Sequence, residues 1–204
     1  MAETSTTRAR GRPKGFDDQS ALEAATRLFW QAGYDGASVD QLCRATRMPR
    51  ASLYQSYGGK EGLFLAAIAH YVATRMAPLI AALGPNGSLQ DDLTGFFAEV
   101  VRLATADPQT PGCLISCVLA DAAGTNRAFR DELDRRYADL ETRLADRLRQ
   151  TTWRADASVS PDAAAGLAAA TARGIMLRAR SGQSSQDLAP VAAAAVAALV
   201  HFSV

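Results

Sequence analysis

Cysteine is scarce in this chain: Cys43, Cys113 and Cys117 are the only three among 204 residues. So small and odd a number excludes a disulfide-stapled scaffold and leads to an expectation of reduced thiols in a cytoplasm. Histidine is scarcer, with His70 and His201 alone. No Cys/His spacing suits a metal, so neither a metal site nor a cofactor is expected. Period-two alternation never persists beyond a few residues and no repeat recurs, which removes β and solenoid architectures. The first twenty residues lack the apolar segment of a secretory signal. One long uncharged run, 188–204, is alanine-dominated, interrupted near its start by Pro190 and short for a bilayer. A helix buried in a subunit contact is expected there, with no membrane partner. Nucleophile-elbow glycines, a phosphate loop and paired His/Asp elements are all missing, so an enzyme is not expected.

What is present is an ordinary globular composition, 48% hydrophobic and 21% charged. The net charge of +1 conceals an uneven distribution. Residues 1–60 hold nine Lys/Arg against six Asp/Glu, and residues 61–204 hold thirteen against fifteen. Most of the excess lies in the first sixteen residues, where Arg8, Arg10, Arg12 and Lys14 face only Glu3. With Gly11, Pro13 and Gly15 interspersed, this stretch reads as a mobile basic arm able to contact phosphates.

Helical spacing governs the rest, and the class expected is all-α. Asp17 or Asp18 caps a first helix carrying Leu22, Ala25, Leu28, Phe29 and Ala32, and Gly33 stops it. Ser38 and Gln41 form a capping-box pattern opening a second helix, with Val39, Leu42 and Cys43 inward. Thr46 to Met48 make a turn, and Pro49 suits the first position of a third helix bearing Leu53 and Tyr57. Further helices are predicted over 60–83, 88–106, 113–123, from Phe129 to beyond Leu148, 161–180 and 186–202. Two short helices joined by a polar turn, with basic residues upstream, have the geometry of a helix-turn-helix. The expected division is a basic arm at 1–16, a helix-turn-helix unit at 17–59 and a helical unit at 60–204.

The ordered set Leu28-Phe29, Gly33-Tyr34, Ser38-Val39, Leu53-Tyr54, Tyr57 and Lys60-Glu61-Gly62-Leu63-Phe64 resembles the TetR family of transcriptional repressors. The resemblance runs from Asp17 to Phe64, about a quarter of the chain. It implies a homodimer with an N-terminal three-helix DNA-binding domain and a C-terminal ligand-binding and dimerisation domain. It also implies that a small molecule shifts the protein off its double-stranded operator. Carried over, the third helix enters the major groove and Arg50, Ala51, Tyr54, Gln55 and Ser56 face DNA. Arg50 suits guanine O6 and N7 together; Gln55 suits adenine or a phosphate; Tyr54 suits the backbone. Ser38 and Lys60, each at a helix start, suit phosphates. A two-fold dimer calls for a palindromic operator. Two positions depart from the pattern: Pro49 replaces a hydroxyl residue before the reading helix, and Gly59 replaces a polar cap before Lys60. Arg10-Gly-Arg-Pro-Lys14 resembles the core of an AT-hook, the alternative being a basic tail of non-specific attraction.

Toward the C-terminus, Pro111-Gly112-Cys113-Leu114-Ile115 resembles a segment of some TetR-type regulators that sense electrophiles or oxidants. Cys113 at a helix start is a candidate reactive thiol, against which stands the inert role of most buried cysteines. Candidate lining residues for an apolar or aromatic effector are Tyr71, Phe96, Phe97, Val100, Cys113, Cys117, Leu140, Trp153 and Met176; core packing is the competing assignment. Ala168, Ala172, Ala194 and Ala198 are candidates for the dimer contact. A helical adaptor that binds protein in place of DNA is the rival class.

Overall fold

A computed structural model describes residues 17–154 and 156–203. The basic arm, with Arg10, Arg12 and Lys14, lies outside them. Among the described residues there are nine helices and no strand: α1 Asp18–Gly36, α2 Val39–Thr46, α3 Arg50–Tyr57, α4 Lys60–Ala82, α5 Leu89–Thr105, α6 over 114–122, α7 Arg127–Arg149, α8 Pro161–Arg180 and α9 Ser185–Val200. The expected all-α class is what the chain adopts.

Local chemistry sets the helix ends. Asp17 accepts from the Gln19 and Ser20 amides, and hydrogen bonds from Ser20 hold its carboxyl below the usual carboxylate range. Gly33, at φ 75 and ψ 170, breaks α1 before a last turn that ends at Gly36. Full capping boxes open α2 (Ser38 with Gln41), α5 (Ser88 with Asp91) and α9 (Ser184 with Asp187). The box at Ser184 starts α9 early enough that Pro190 falls inside the helix instead of at its start. In α4 the backbone widens into a π turn over Val72–Met76. Pro78 has no amide for the carbonyl of Thr74, and its ring crowds that turn. A second π-wound stretch, Leu114–Leu119, opens α6.

Two packing features fix the frame. Phe29 of α1, Phe64 of α4 and Phe129 of α7 meet edge to face, with centroids 4.8 Å and 5.1 Å apart, and Tyr34 adds a contact to Phe129 at 4.7 Å. The start of α7 is thereby locked onto the first helix. At the far end, Asp92 and Arg147 are buried together, with Arg147 Nε donating to Asp92 Oδ2 at 2.6 Å. Asp92 Oδ1 also accepts from the Asn86 and Gly87 amides, so the pair ties the α4–α5 turn to α5 and α7.

Among the described residues α4 is the one helix long and apolar enough to cross a bilayer. Its Leu63, Phe64, Ala67, Ile68 and Tyr71 are buried in the core.

Candidate nucleic-acid interface

The reading head begins with Leu42, Thr46 and Met48, all buried and all local. Thr46 Oγ1 donates to the Leu42 carbonyl at 2.7 Å and accepts from the Met48 amide at 3.3 Å. Arg47 takes the left-handed conformation, φ 56 and ψ 24, and redirects the chain into α3. Pro49 is the N-cap of α3, one place before the first helical position expected of it, and offers no side-chain cap. The buried Leu53 and the half-buried Tyr57, packed against the core, anchor that short helix from within as expected, leaving Arg50, Ala51, Tyr54, Gln55 and Ser56 exposed. The five residues assigned to DNA therefore lie together on the free side. The Arg50 guanidinium sits 5.9 Å from the Tyr54 ring centroid and 3.3 Å from Asp40 on α2. Both partners of that ion pair are more than half exposed, so a phosphate or base edge competes for Arg50 at little cost.

Ser38 is exposed but occupied in its capping box, its hydroxyl accepting from the Gln41 amide at 3.2 Å. Lys60 is half-buried: its Nζ lies 4.3 Å from the Tyr34 ring centroid and donates to the Asp35 carbonyl at 3.5 Å. These contacts park the ammonium beside the head instead of extending it.

The joint between α3 and α4 depends on a close backbone approach. A Cβ on Gly62 would lie 1.8 Å from the Tyr57 carbonyl oxygen, and backbone cannot give way as a side chain can. Gly62→Ala is expected to lower stability by about 1–3 kcal/mol and to weaken DNA binding by reorienting α3. Chemical unfolding beside a binding titration checks both; wild-type values would mean that α4 starts in a looser register.

The head touches the rest of the chain through Trp30. Its ring meets Tyr71 edge-on at 5.0 Å, and its Nε1 donates to the Pro111 carbonyl at 3.3 Å. Arg180 of α8 donates to the Trp30 carbonyl at 3.2 Å. Tyr71 is fully buried and its hydroxyl donates to Cys113 Sγ at 3.3 Å. Burial, then the neighbouring Cys113, pushes the Tyr71 phenol well above its ordinary pKa, so it keeps the donated proton. Arg75 of α4 pairs with Glu23 of α1, which also meets His70 at 3.2 Å. Sequence reasoning missed this junction, whose members lie as much as 150 residues apart.

The structure separates the effector and dimer candidates by where their side chains lie. A cavity of about 440 Å³ lies between α4, α6, α7 and α8. Of the nine candidates only Leu140 lines it; Val72, Met76, Ile80, Ile115, Tyr137 and Arg173 are the other main contributors. Tyr71, Phe96, Val100, Cys113 and Met176 are buried outside that lining, and Cys117 is half-buried with its thiol pKa raised by burial. Trp153 stacks on Phe202 and donates to the Val159 carbonyl, pinning a loop near the C-terminus. Phe97 borders a second concavity, an open groove of about 940 Å³ between α5 and α9 whose α9 side is mostly alanine and valine. Ala168 and Ala172 are buried against their own protomer and cannot meet a partner. Ala194 and Ala198 are exposed, as are Leu167 and Leu177 on α8.

Comparison with known proteins agrees with this geometry. Residues 21–67 match the model of the bacterial regulatory proteins of the tetR family. The chain is 30% identical over 188 residues to the transcriptional repressor ComR of Escherichia coli K12, covering 91% of this chain and 90% of that protein. The chain belongs to the TetR family. It is a DNA-binding transcriptional regulator. A second TetR relative, the repressor AcnR of Corynebacterium glutamicum, is 42% identical over 98 residues, 44% of this chain and 52% of its own length. Among solved structures, the TetR-family regulator CifR, a cysteine mutant complexed with 26-bp operator DNA, superposes with a TM-score of 0.82. It is 28% identical and the match covers 92% of this chain and 99% of that one.

Proposed function

We propose that this chain is a homodimeric repressor that reads a palindromic operator with a pair of α3 helices and leaves it when a small molecule binds. Residues 17–59 serve as the reading unit and 60–204 as the regulatory and dimerisation unit, with the basic arm adding phosphate contacts. The observation that carries this reading is the exposed row Arg50, Tyr54, Gln55 on α3, held outward by Leu53 and Tyr57 on its inner side. Operator binding by CifR supports it. The outward sides of α8 and α9, with Leu167, Leu177, Ala194 and Ala198, supply the subunit contact. The effector site is the cavity between α4, α6, α7 and α8: both π-wound segments border it, through Val72 and Met76 and through Ile115 and Ser116. A ligand that spreads those segments shifts Tyr71 and Trp30, and with them the spacing of the two reading heads. A coupling of about 1–3 kcal/mol corresponds to a 5- to 150-fold loss of affinity.

Electrophoretic mobility shift with DNA upstream of the chain's own gene tests this reading. A salt-sensitive shift, competed by a palindrome within that DNA, is expected. A folded dimer giving no shift would favour a protein-binding adaptor.

A second reading assigns release to covalent change at Cys113, within the TetR subset that carries a Pro-Gly-Cys-Leu segment. It is favoured by the hydrogen bond from Tyr71 to Cys113 Sγ, which places the thiol two contacts from α1 through Trp30. Cys113 also sits at the start of α6. Cys113→Ser is expected to abolish release by N-ethylmaleimide and leave operator affinity within about twofold, because Ser preserves the donor–acceptor geometry. Unchanged release in a binding titration eliminates the thiol.

A further inference from the structure

From the cavity between α4, α6, α7 and α8 we infer the chemical class of the effector: an amphipathic monoanion, a carboxylate on an aliphatic or aromatic tail. The inference rests on the assignment of the effector to that cavity and adds to it a charge and an anchor, Arg173. The inner wall is apolar, from Val72, Met76, Ile80, Ile115 and Leu140. Arg173 reaches it from α8 with its guanidinium 4.4 Å from the Tyr137 ring centroid. Its Nη2 donates to Glu141 Oε1 at 2.8 Å, while Nη1 is buried and has no acceptor among the described residues.

A charged donor shut away from water without an acceptor is among the more costly omissions a fold can carry. Such a group persists where a ligand supplies the missing oxygen. The other charges favour the same sign. Arg136, Arg143 and Arg173 line the cavity against one acid, Asp139. Arg136 is committed to Glu132 at 2.7 Å, whereas Arg143 has no carboxylate partner among the described residues. A carboxylate in the cavity meets the Arg173 side chain, which is 21% exposed, and a turn of its guanidinium brings the unpaired Nη1 to the carboxylate, with Arg143 a second cation on the lining. The ring of Tyr137 screens the site from above: its phenol is pushed above the ordinary range chiefly by burial, with Arg173 opposing, so it stays neutral and does not repel an anion. A volume of about 440 Å³ accommodates a tail of one ring or a medium alkyl chain.

Isothermal titration of the full-length protein with 4-phenylbutyrate and with its uncharged counterpart 4-phenylbutanol tests the assignment. The acid is expected to bind about ten- to a hundredfold more tightly than the alcohol, the range of a charged hydrogen bond. In Arg173→Gln the acid falls to the level of the alcohol. Arg143→Gln, on the exposed side and safer for folding, is expected to remove a part of the preference. Leu140→Trp, which fills the apolar wall, is expected to eliminate binding of both compounds. Equal affinities of acid and alcohol in the wild type, or a preference that survives Arg173→Gln, overturn the anionic class and leave the cavity assignment standing. Failure of both compounds to bind, or binding indifferent to Leu140→Trp, overturns the cavity assignment as well.

Discussion

Arg147→Ala is expected to lower the free energy of unfolding by about 3–5 kcal/mol, because it leaves Asp92 as an uncompensated buried charge. Asp92 is 2% exposed and Arg147 6% exposed. Besides the bond to Asp92, Arg147 Nη1 donates to Thr151 Oγ1 at 2.9 Å and Nη2 to the Gly87 carbonyl at 3.3 Å. One side chain thus satisfies an acid, a hydroxyl and a turn carbonyl, and its loss strands the buried acid, whereas water can reach the other two. The effect is not a general preference for buried charge. Asp92→Leu combined with Arg147→Met restores apolar packing but orphans the Asn86 and Gly87 amides that Asp92 now accepts from. The double variant is therefore expected to recover part of the loss, remaining about 1–3 kcal/mol below wild type. Urea unfolding at one fixed protein concentration measures both, since a dimer's apparent stability depends on concentration. A loss under 1 kcal/mol in the single variant would mean that water reaches the pair.

Why the sequence reveals some of this and not the rest is a matter of range. The Ser38–Gln41 box, the stop at Gly33 and the turn at Arg47 involve partners within four residues, and each is readable as written. Leu53 and the exposed row around it follow from helical spacing on a short helix. The Asp92–Arg147 pair spans 55 residues, and nothing local distinguishes that aspartate from Asp91 beside it. That only one effector candidate lines the cavity between α4, α6, α7 and α8 has a different reason. Large apolar residues mark a core and a cavity wall alike, so Phe96 and Val100 went to the core while the distinguishing residue of the cavity, Arg173, stood unremarked in an alanine-rich helix. The same helix turned two of the four dimer candidates inward, while Ala194 and Ala198 on α9 are exposed. The polar residues of α8 fall on opposite sides (Asp162, Arg173 and Arg180 against Thr171 and Arg178), so no single polar face sets its phase, and Ala168 and Ala172 turned inward while Leu167 and Leu177 turned out.

The reading head is where a single side chain has the largest functional effect. Arg50→Ala is expected to weaken operator binding by on the order of thirtyfold to ten-thousandfold. A bidentate contact to guanine contributes about 1–3 kcal/mol, and two-fold symmetry removes it from both half-sites at once, so the losses add across the distant heads. Stability should hardly change, since Arg50 is exposed and its pairing with Asp40 is a surface one. Arg50→Lys separates base reading from attraction. Lysine keeps the charge and hence most of the salt dependence, but has no planar fork for O6 and N7. Asp40→Asn frees Arg50 from its resting partner and is expected to tighten binding slightly on any sequence. Competition titrations of specific against scrambled duplex at two salt concentrations distinguish these outcomes. If Arg50→Ala weakened both duplexes equally, Arg50 would be a phosphate contact, and the base-reading function would pass to Gln55 on the same exposed row.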